Sequence, residues 1–298
     1  MSGHVYARPL QGVVFLVLAV ACFATLDTSV KVLGASVSVL LVVWFRYLFQ
    51  AVVMAGFVLP TRGWRSLRTR HPWLHLLRGA LLLLVSTLGF ISLGYMPIGE
   101  FTAIVMLTPL VVTLLAAVFL KEPANLLRWA LVLGGFGGAL LVIQPTGQAI
   151  GWAVALPLVM TLAYAVFQIL TSRMTRTEDA MTLHFYTGWV GALLISLALP
   201  WVWQSIDDLR TAALLGLAGL MGTVGHFLLI QAFARAPAGV LAPYLYVQIG
   251  FALFAGWLVF DHVPGTLEWW GIALIAACGA TMAWLSARAP QTARPARP

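Results

Sequence analysis

Ten long apolar runs divide the sequence, and short segments rich in Arg, Pro or Gly separate them. An apolar run of about 20 residues is long enough to cross a bilayer as a helix. The first run is too long for the core of a signal peptide, and no small-residue cleavage site follows it, so we expect it to be retained. The sequence predicts membrane spans at 10–33, 37–59, 73–95, 98–120, 125–143, 151–172, 181–200, 212–234, 238–260 and 266–286.

The composition excludes an ordinary soluble protein. Of the 298 residues, 61% are hydrophobic and only 9% are charged, whereas a soluble domain carries roughly 25% charged residues. The net charge of +8 lies in short loops, without a continuous basic face, so we expect no nucleic acid partner. Cys22 and Cys278 lie inside apolar runs and have no disulfide or zinc spacing. A compact integral membrane domain in the lipid bilayer is the class that remains.

The basic residues predict the orientation of the chain. If the N-terminus is inside, 13 of the 17 Lys and Arg residues fall in inner segments and only Arg210 falls in an outer loop. The other three, Lys31, Arg46 and Arg78, lie within spans. Because positive residues are retained on the cytoplasmic side, we expect both termini to be cytoplasmic.

An internal repeat relates the two halves of the sequence. A shift of 140 residues places Pro60 on Pro200 and Pro97 on Pro237, so the predicted repeats are residues 1–145 and 146–298. Each repeat holds five spans, an odd number, and the second must enter the membrane from the opposite side. The predicted fold is therefore an all-α integral membrane protein with ten transmembrane helices as two inverted five-helix repeats. Inverted repeats recur in secondary transporters, which bind substrate near the midplane and expose it alternately to each side.

Several segments resemble the drug/metabolite transporter superfamily, in its ten-helix branch of paired EamA-type repeats. They are "DTSVK", "WFRYLF", "GYMPIGEFTAIVMLTPLVVTLLAAVFLKEP" and the second copy "AFARAPAGVLAPYLYVQIGFALFAGWLVFDHVP". The resemblance covers about residues 10–286 and implies a transporter of the bacterial inner membrane, similar to exporters of aromatic or neutral amino acids or to carriers of other metabolites. The second copy departs from the pattern, because Asp261 and His262 stand where the first copy has Lys121 and Glu122.

Three charged residues within the spans are candidate substrate ligands. A charge inside a bilayer costs at least ~2.5–3.5 kcal/mol on insertion scales, so each one needs a partner or a wet cavity. Asp27 and Lys31 are four residues apart on one helix face, where they can pair, and Arg46 lies at a similar depth in the next span. This trio carries a net charge of +1 and can receive a carboxylate by charge-assisted hydrogen bonds. The alternative is an ion network that fixes the first two spans.

Uncharged polar and aromatic residues inside the spans complete the predicted site. In the sixth span, Pro157, Thr161, Tyr164 and Gln168 share one helix face, and such sparse polar faces are typical of a small-molecule pocket. The alternative for each residue is a hydrogen bond between helices, and His226 is either a buried neutral side chain, a substrate ligand or a proton-coupling group. The full uncharged set is Thr25, Ser86, Met106, Pro109, Tyr164, Phe167, Gln168, His226, Tyr244, Gln248 and Phe251.

The sequence leaves three functions open. The first is a secondary transporter that exports aromatic or neutral amino acids or related small metabolites. The second is a carrier of anionic or nucleoside-like metabolites on the same fold. The third, a membrane-embedded lipid-modifying enzyme, needs clustered acids or a nucleophile, and the acidic residues are dispersed. We expect no enzyme activity and no cofactor. We also expect no metal site, since His71 and His75 lack a third ligand nearby. A homodimer is possible but not required.

Overall fold

The computed structural model describes residues 9–34, 36–93, 95, 98–122, 125–144, 151–260 and 265–288. These residues form α-helices joined by short turns and three 3-10 segments, and they contain no strand. The helices are α1 (Pro9–Leu33), α2 (Val39–Arg62), α3 (Pro72–Leu93), α4 (Ile98–Val105), α5 (Thr108–Phe119), α6 (Leu126–Ile143), α7 (Ala155–Met174), α8 (Ala180–Ser196), α9 (Leu199–Val202), α10 (Leu209–Arg235), α11 (Ala238–Leu241), α12 (Val247–Phe260) and α13 (Thr266–Arg288).

Each of the ten predicted spans is helical in its described part. Among the described residues, seven helical segments are long and apolar enough to cross a membrane, and two shorter apolar helices, Thr108–Phe119 and Thr266–Met282, accompany them. The chain is therefore an all-helical, multi-pass membrane protein. Ten crossings remain a prediction, because length and composition identify seven.

Two of the predicted spans are interrupted well inside their length, besides the seventh, whose last residues belong to the short helix α9. The fourth breaks between α4 and α5, where Pro109 lies in the first turn of α5 and the Thr108 hydroxyl donates to the Val105 carbonyl at 2.6 Å. The ninth consists of α11, a 3-10 segment over Ala242–Tyr246 and α12. Proline removes a backbone donor, and a 3-10 turn is tighter than an α-helical turn. Either one interrupts the regular series of α-helical backbone hydrogen bonds. The sequence analysis gave each as one apolar run, 98–120 and 238–260, and did not predict the 3-10 segment of the ninth.

The main packing contacts pair helices of the first half with helices of the second. Helix α1 packs on α10 and α12, α2 packs on α8 and α10, α3 packs on α7 and α8, and α5 packs on α7. Helices α6 and α13 form a further pair. When each helix is replaced by the one five spans further along, this set of pairs is unchanged: α1 with α10 becomes α7 with α3, and α2 with α10 becomes α8 with α3.

The pair of α6 and α13 approaches closely because both helices carry glycine at the contact. A Cβ atom built on Gly138 would lie 2.9 Å from the Gly271 carbonyl oxygen, and one built on Gly271 would lie 2.5 Å from the Gly138 oxygen. Any larger residue would push the two backbones apart, as at other small-residue helix contacts. Glycine at these two positions therefore sets the distance between the helices.

Loops from the two halves meet on one face of the helix bundle, which we call the arginine-rich face. It comprises the α2–α3, α5–α6, α7–α8 and α10–α11 connections. Arg62 pairs with Asp179 at 3.0 Å, and the Thr69 hydroxyl donates to Glu178 at 2.8 Å. Glu122 joins the α5–α6 connection to the α10–α11 connection. Every second connection of the predicted spans thus lies on this face.

The connections between these loops lie together elsewhere. The backbone N–H of Ser38, after α1, donates to the side-chain oxygen of Gln204 at 3.3 Å. The Gln204 side-chain nitrogen donates in turn to the Ser36 carbonyl at 2.9 Å. These two connections, α1–α2 and α8–α10, therefore lie together at the end of α2 that is away from the arginine-rich face.

Candidate functional site

Asp27 of α1 and Gln248 of α12 form a hydrogen bond across the core. The Gln248 side-chain nitrogen donates to Asp27 Oδ2 at 3.0 Å. Helix α1 packs on both α10 and α12, yet the Asp27 side chain is exposed. We call the accessible space beside Asp27, between α1 and α12, the cleft. An intramembrane carboxylate requires a partner or a wet environment, and Gln248 is a partner of Asp27.

Arg46 of α2 is buried beside this cleft, with 5% of its surface exposed. Its Nη2 donates to the Ser86 hydroxyl at 2.8 Å, and its guanidinium lies 4.3 Å from the centre of the Tyr47 ring. Its Nε has no hydrogen-bond partner among the described residues. A Cβ on Gly222 would lie 3.1 Å from Arg46 Cγ and Cδ, so glycine leaves room for the arginine stem. The guanidinium is held in place with part of its donor capacity free.

Arg46 has no ion-pair partner in contact. Among the described residues, no Asp or Glu oxygen lies within 4.0 Å of its nitrogens. Its hydrogen-bond partner Ser86 is the position that the predicted repeat aligns with His226. The site therefore presents a guanidinium that no carboxylate neutralises by direct contact.

Aromatic rings of α7 and α10 pack together inside the bundle. Tyr164 and Phe167 of α7 stack with ring centres 6.0 Å apart and planes 13° from parallel. His226 of α10 lies 6.2 Å from Phe167 and 4.8 Å from Phe23, and its Nδ1 has no partner in the described part of the chain. Phe167 is completely buried, so the half-buried Tyr164 is the ring of this pair that a planar ligand can reach.

A second group of predicted residues gathers where the two interrupted helices meet. Met106, at the break between α4 and α5, is buried in one cluster with Tyr246 and Ile249. Tyr244 is buried in the neighbouring main core, and its hydroxyl has no partner among the described residues. Both breaks therefore contribute side chains to the middle of the molecule, as in transporters whose sites use discontinuous helices.

The remaining predicted residues lie apart from these contacts. Pro109 is buried at the start of α5, and Phe251 packs half-buried against the main core. Thr25 donates to the Ala21 carbonyl of its own helix at 3.0 Å. Lys31 is exposed, and its predicted pairing with Asp27 remains a prediction. Gln168 is completely buried, and neither of its amide atoms has a partner among the described residues.

Arg78 was missed as a site residue, because the sequence analysis recorded it only as a basic residue inside a span. It is buried with 1% of its surface exposed. Its Nε donates to Thr171 at 2.8 Å, and its Nη1 donates to the Leu183 carbonyl at 3.0 Å and to the Thr187 hydroxyl. Its guanidinium lies 4.8 Å from the centre of the Phe167 ring. An intramembrane arginine with neutral partners was a signal that the sequence did contain.

Glu122 forms a second polar centre, at the arginine-rich face. It accepts hydrogen bonds from the backbone N–H groups of Gly239 at 2.9 Å and Ala238 at 3.3 Å, and Arg176 lies 3.7 Å away. Burial raises the pKa of Glu122 by more than these contacts and Arg128 lower it. Burial of this carboxylate is therefore unfavourable in itself, while its contacts join loops of both halves.

The described residues contain no group of three or more His, Cys, Asp or Glu side chains placed to hold a metal ion. His75, one half of the His71–His75 pair, lies 3.7 Å from Glu178 and 4.5 Å from the Tyr186 ring centre. The chemistry available in this part of the chain is therefore hydrogen bonding, charge and aromatic stacking.

Comparison with known proteins agrees with this arrangement. The profile of the EamA-like transporter family matches twice, at residues 10–144 and 151–283. A riboflavin transporter of Rhizobium johnstonii is 32% identical over 278 residues, 90% of this chain and 89% of that protein. An S-adenosylmethionine uptake transporter of Rickettsia bellii is 27% identical over 253 residues, 85% of this chain and 86% of that protein. Neither is named for the aromatic amino acids that the resemblance implied.

A solved crystal structure of another protein also superposes on the chain. Its TM-score is 0.81 at 18% sequence identity, with 95% of this chain and 99% of that chain covered. At this identity the likeness shows the fold alone.

Proposed function

Because the chain belongs to the EamA-like transporter family, we propose that this membrane transporter of small metabolites works as a secondary carrier by alternating access. Its substrate site is the cleft between the two halves. The observation that carries the proposal is the exposed Asp27 carboxylate within a membrane span, together with a buried Arg46 that no carboxylate contacts among the described residues. Intramembrane charges with spare hydrogen-bonding capacity are typical of substrate pathways.

The mechanism requires two inverted five-helix repeats, residues 1–145 and 146–298, and ten crossings. Three observations support this architecture. The family profile matches once in each half, and the packing pairs are unchanged when helices are exchanged between the halves. A shift of 140 residues also brings Met106, at the break of the fourth span, onto Tyr246, the last residue of the 3-10 segment in the ninth. The 13-to-1 distribution of Lys and Arg supports cytoplasmic termini in the bacterial inner membrane.

For the substrate, we propose a nucleoside-like heteroaromatic metabolite, the second of the classes that the sequence raised. Riboflavin and S-adenosylmethionine, for which the two relatives are named, each combine a fused heteroaromatic ring with a hydroxylated chain or sugar. The half-buried Tyr164, held by its stacking on Phe167, can stack on such a ring. Asp27, Gln248 and Arg46 supply acceptors and donors for the polar part of the molecule.

Transport into vesicles tests this proposal. Purified protein reconstituted into liposomes is expected to move labelled riboflavin or S-adenosylmethionine faster than protein-free vesicles do, and unlabelled substrate inside is expected to accelerate entry, as a carrier requires. D27N removes the cleft carboxylate and is expected to lower the rate at least about tenfold, a loss of roughly 1.4 kcal/mol. The matched control is D207N, which changes an exposed aspartate in the α9–α10 connection and is expected to leave the rate unchanged.

The same vesicles decide between the substrate classes and the directions. If labelled tryptophan is carried and neither heteroaromatic compound is, the amino acid prediction replaces ours. Equal rates for D27N and D207N would remove the cleft from the transport path. Export remains a prediction, and the relative named for uptake does not support it. Vesicles loaded with substrate measure efflux directly, and the imposed gradients rather than the site residues are expected to set the net direction.

A further inference from the structure

One face of α7 carries buried polar side chains without partners. Tyr164, Gln168 and Ser172 follow one another at intervals of four residues, so they share a helix face; we call them the α7 polar stripe. Gln168 and Ser172 are both 0% exposed. Neither the two amide atoms of Gln168 nor the Ser172 hydroxyl has a hydrogen-bond partner among the described residues. Buried polar groups are nearly always bonded, and an unbonded one is destabilising.

The α7 polar stripe runs from the cleft towards the arginine-rich face. Its first member, Tyr164, is half-buried and stacks on Phe167. Ser172 lies eight residues further, about 12 Å along the helix. Just beyond it the Thr175 hydroxyl donates to the Phe233 carbonyl of α10 at 3.4 Å. The two unbonded side chains therefore occupy the closed half of the molecule, below the accessible cleft.

Glu122 closes the far end of the α7 polar stripe. Its carboxylate contacts Arg176, which follows α7, and the backbone N–H groups of Ala238 and Gly239 at the start of α11. It thus ties a loop of the first half to two segments of the second. Arg62 and Asp179 also link the halves on this face, but both side chains are about half exposed, so their pairing is weak.

We propose that Gln168 and Ser172 line the half of the substrate pathway that is closed in this conformation, and that Glu122 is the latch that keeps it closed. The inference rests on the proposed transport function and extends it to residues beyond the cleft. When the halves rock, the α7 polar stripe opens to the arginine-rich face. The uncharged Gln168 amide and Ser172 hydroxyl can bond the hydroxyl and amide groups of a heteroaromatic metabolite. During passage the substrate therefore supplies the hydrogen bonds that these side chains lack in the closed state.

Cysteine accessibility tests the pathway. Ser172→Cys is placed in a background in which Cys22 and Cys278 are changed to Ala, and its modification by N-ethylmaleimide is timed with the full chain in liposomes. Glu122→Ala removes the carboxylate and is expected to raise the modification rate of the new cysteine at least about tenfold. The matched control position is Met174→Cys, equally buried at similar depth but packed with Leu183 and Ile230 on another face of α7. It is expected to stay unreactive.

A second control changes the exposed pairing on the same face. Arg62→Ala removes the Arg62–Asp179 pair and is expected to leave the rate at the Ser172 position unchanged. No acceleration by Glu122→Ala would overturn the latch. Equal acceleration at positions 172 and 174 would show general loosening of α7 and would overturn the pathway. If Glu122→Ala does not give a monodisperse protein, Arg176→Gln breaks the same contact and is judged by the same rates.

Transport by the wild-type protein separates this inference from the proposed function. If wild-type vesicles carry a heteroaromatic substrate and the Ser172 position stays unreactive in every background, the pathway is wrong and the function stands. If they carry none and Glu122→Ala still opens the Ser172 position selectively, the substrate class is wrong and the pathway stands.

Discussion

Two buried arginines of the first half, Arg46 in α2 and Arg78 in α3, have opposite surroundings. Arg78 donates through Nε and Nη1 to groups on α7 and α8 and lies on the Phe167 ring. Arg46 donates to one side-chain hydroxyl, that of Ser86, and its Nε has no partner in the described chain. Both are buried charges without a carboxylate within 4.0 Å among the described residues, and the difference lies in their hydrogen bonds.

The comparison separates a structural charge from a functional one. A buried guanidinium is tolerated when fixed dipoles satisfy its donors, and Arg78 meets this condition while joining α3 to both α7 and α8. Arg46 meets it only in part, because its Nε has no partner in the described chain. The unbonded donor of Arg46 is therefore available to a ligand, whereas the donors of Arg78 are used in contacts between helices.

The largest expected effect is that of Arg78→Ala. It removes three hydrogen bonds from a charged group and leaves a cavity between α3, α7 and α8, so the free energy of unfolding is expected to fall by about 3–5 kcal/mol. The thermal midpoint in detergent, followed by the monodisperse fraction on gel filtration, measures it. A midpoint equal to that of the wild type would show that Arg78 is dispensable for the fold and would break the comparison.

Arg46→Gln is expected to lower substrate affinity and to leave stability almost unchanged. The thermal midpoint stays close to that of the wild type, since few bonds are lost, while affinity for the transported substrate falls by about thirtyfold, or roughly 2 kcal/mol for a charge-assisted hydrogen bond. Substrate-induced shifts of the thermal midpoint give the affinity. Unchanged affinity together with a large loss of stability would make Arg46 a second structural arginine.

The smallest effects are expected from the partners of the two arginines. Thr187→Val removes an acceptor of Arg78 and is expected to cost about 1 kcal/mol of stability without changing affinity. Ser86→Ala removes the hydroxyl partner of Arg46 and is expected to weaken binding by about threefold to tenfold while stability changes little. Paired melting and binding curves for the two variants give both quantities. If both changed stability alone, the distinction between the arginines would be lost.

Part of the candidate site could be predicted from the sequence. Asp27 and Arg46 were identified because charge inside an apolar span is costly wherever the chain folds. The partner of Asp27 was not identified, because Gln248 lies 221 residues away along the chain. Residue spacing along one helix gives no information about contacts with a different helix. Arg78 is also a charge inside an apolar span, so the sequence did mark it. Its partners Thr171, Thr187 and Leu183 lie on other helices and could not be predicted.

The sequence by itself determined the membrane class, the helical positions and the family, because burial in lipid demands long apolar runs and each run leaves its own local signature. Only the tertiary structure decided where those helices break and which of them pack together. It also decided which buried polar atoms remain without a partner, in Arg46, Gln168 and Ser172. The physical reason is that hydrogen bonds between helices depend on distances across the bundle, and no periodicity along a single helix encodes those distances.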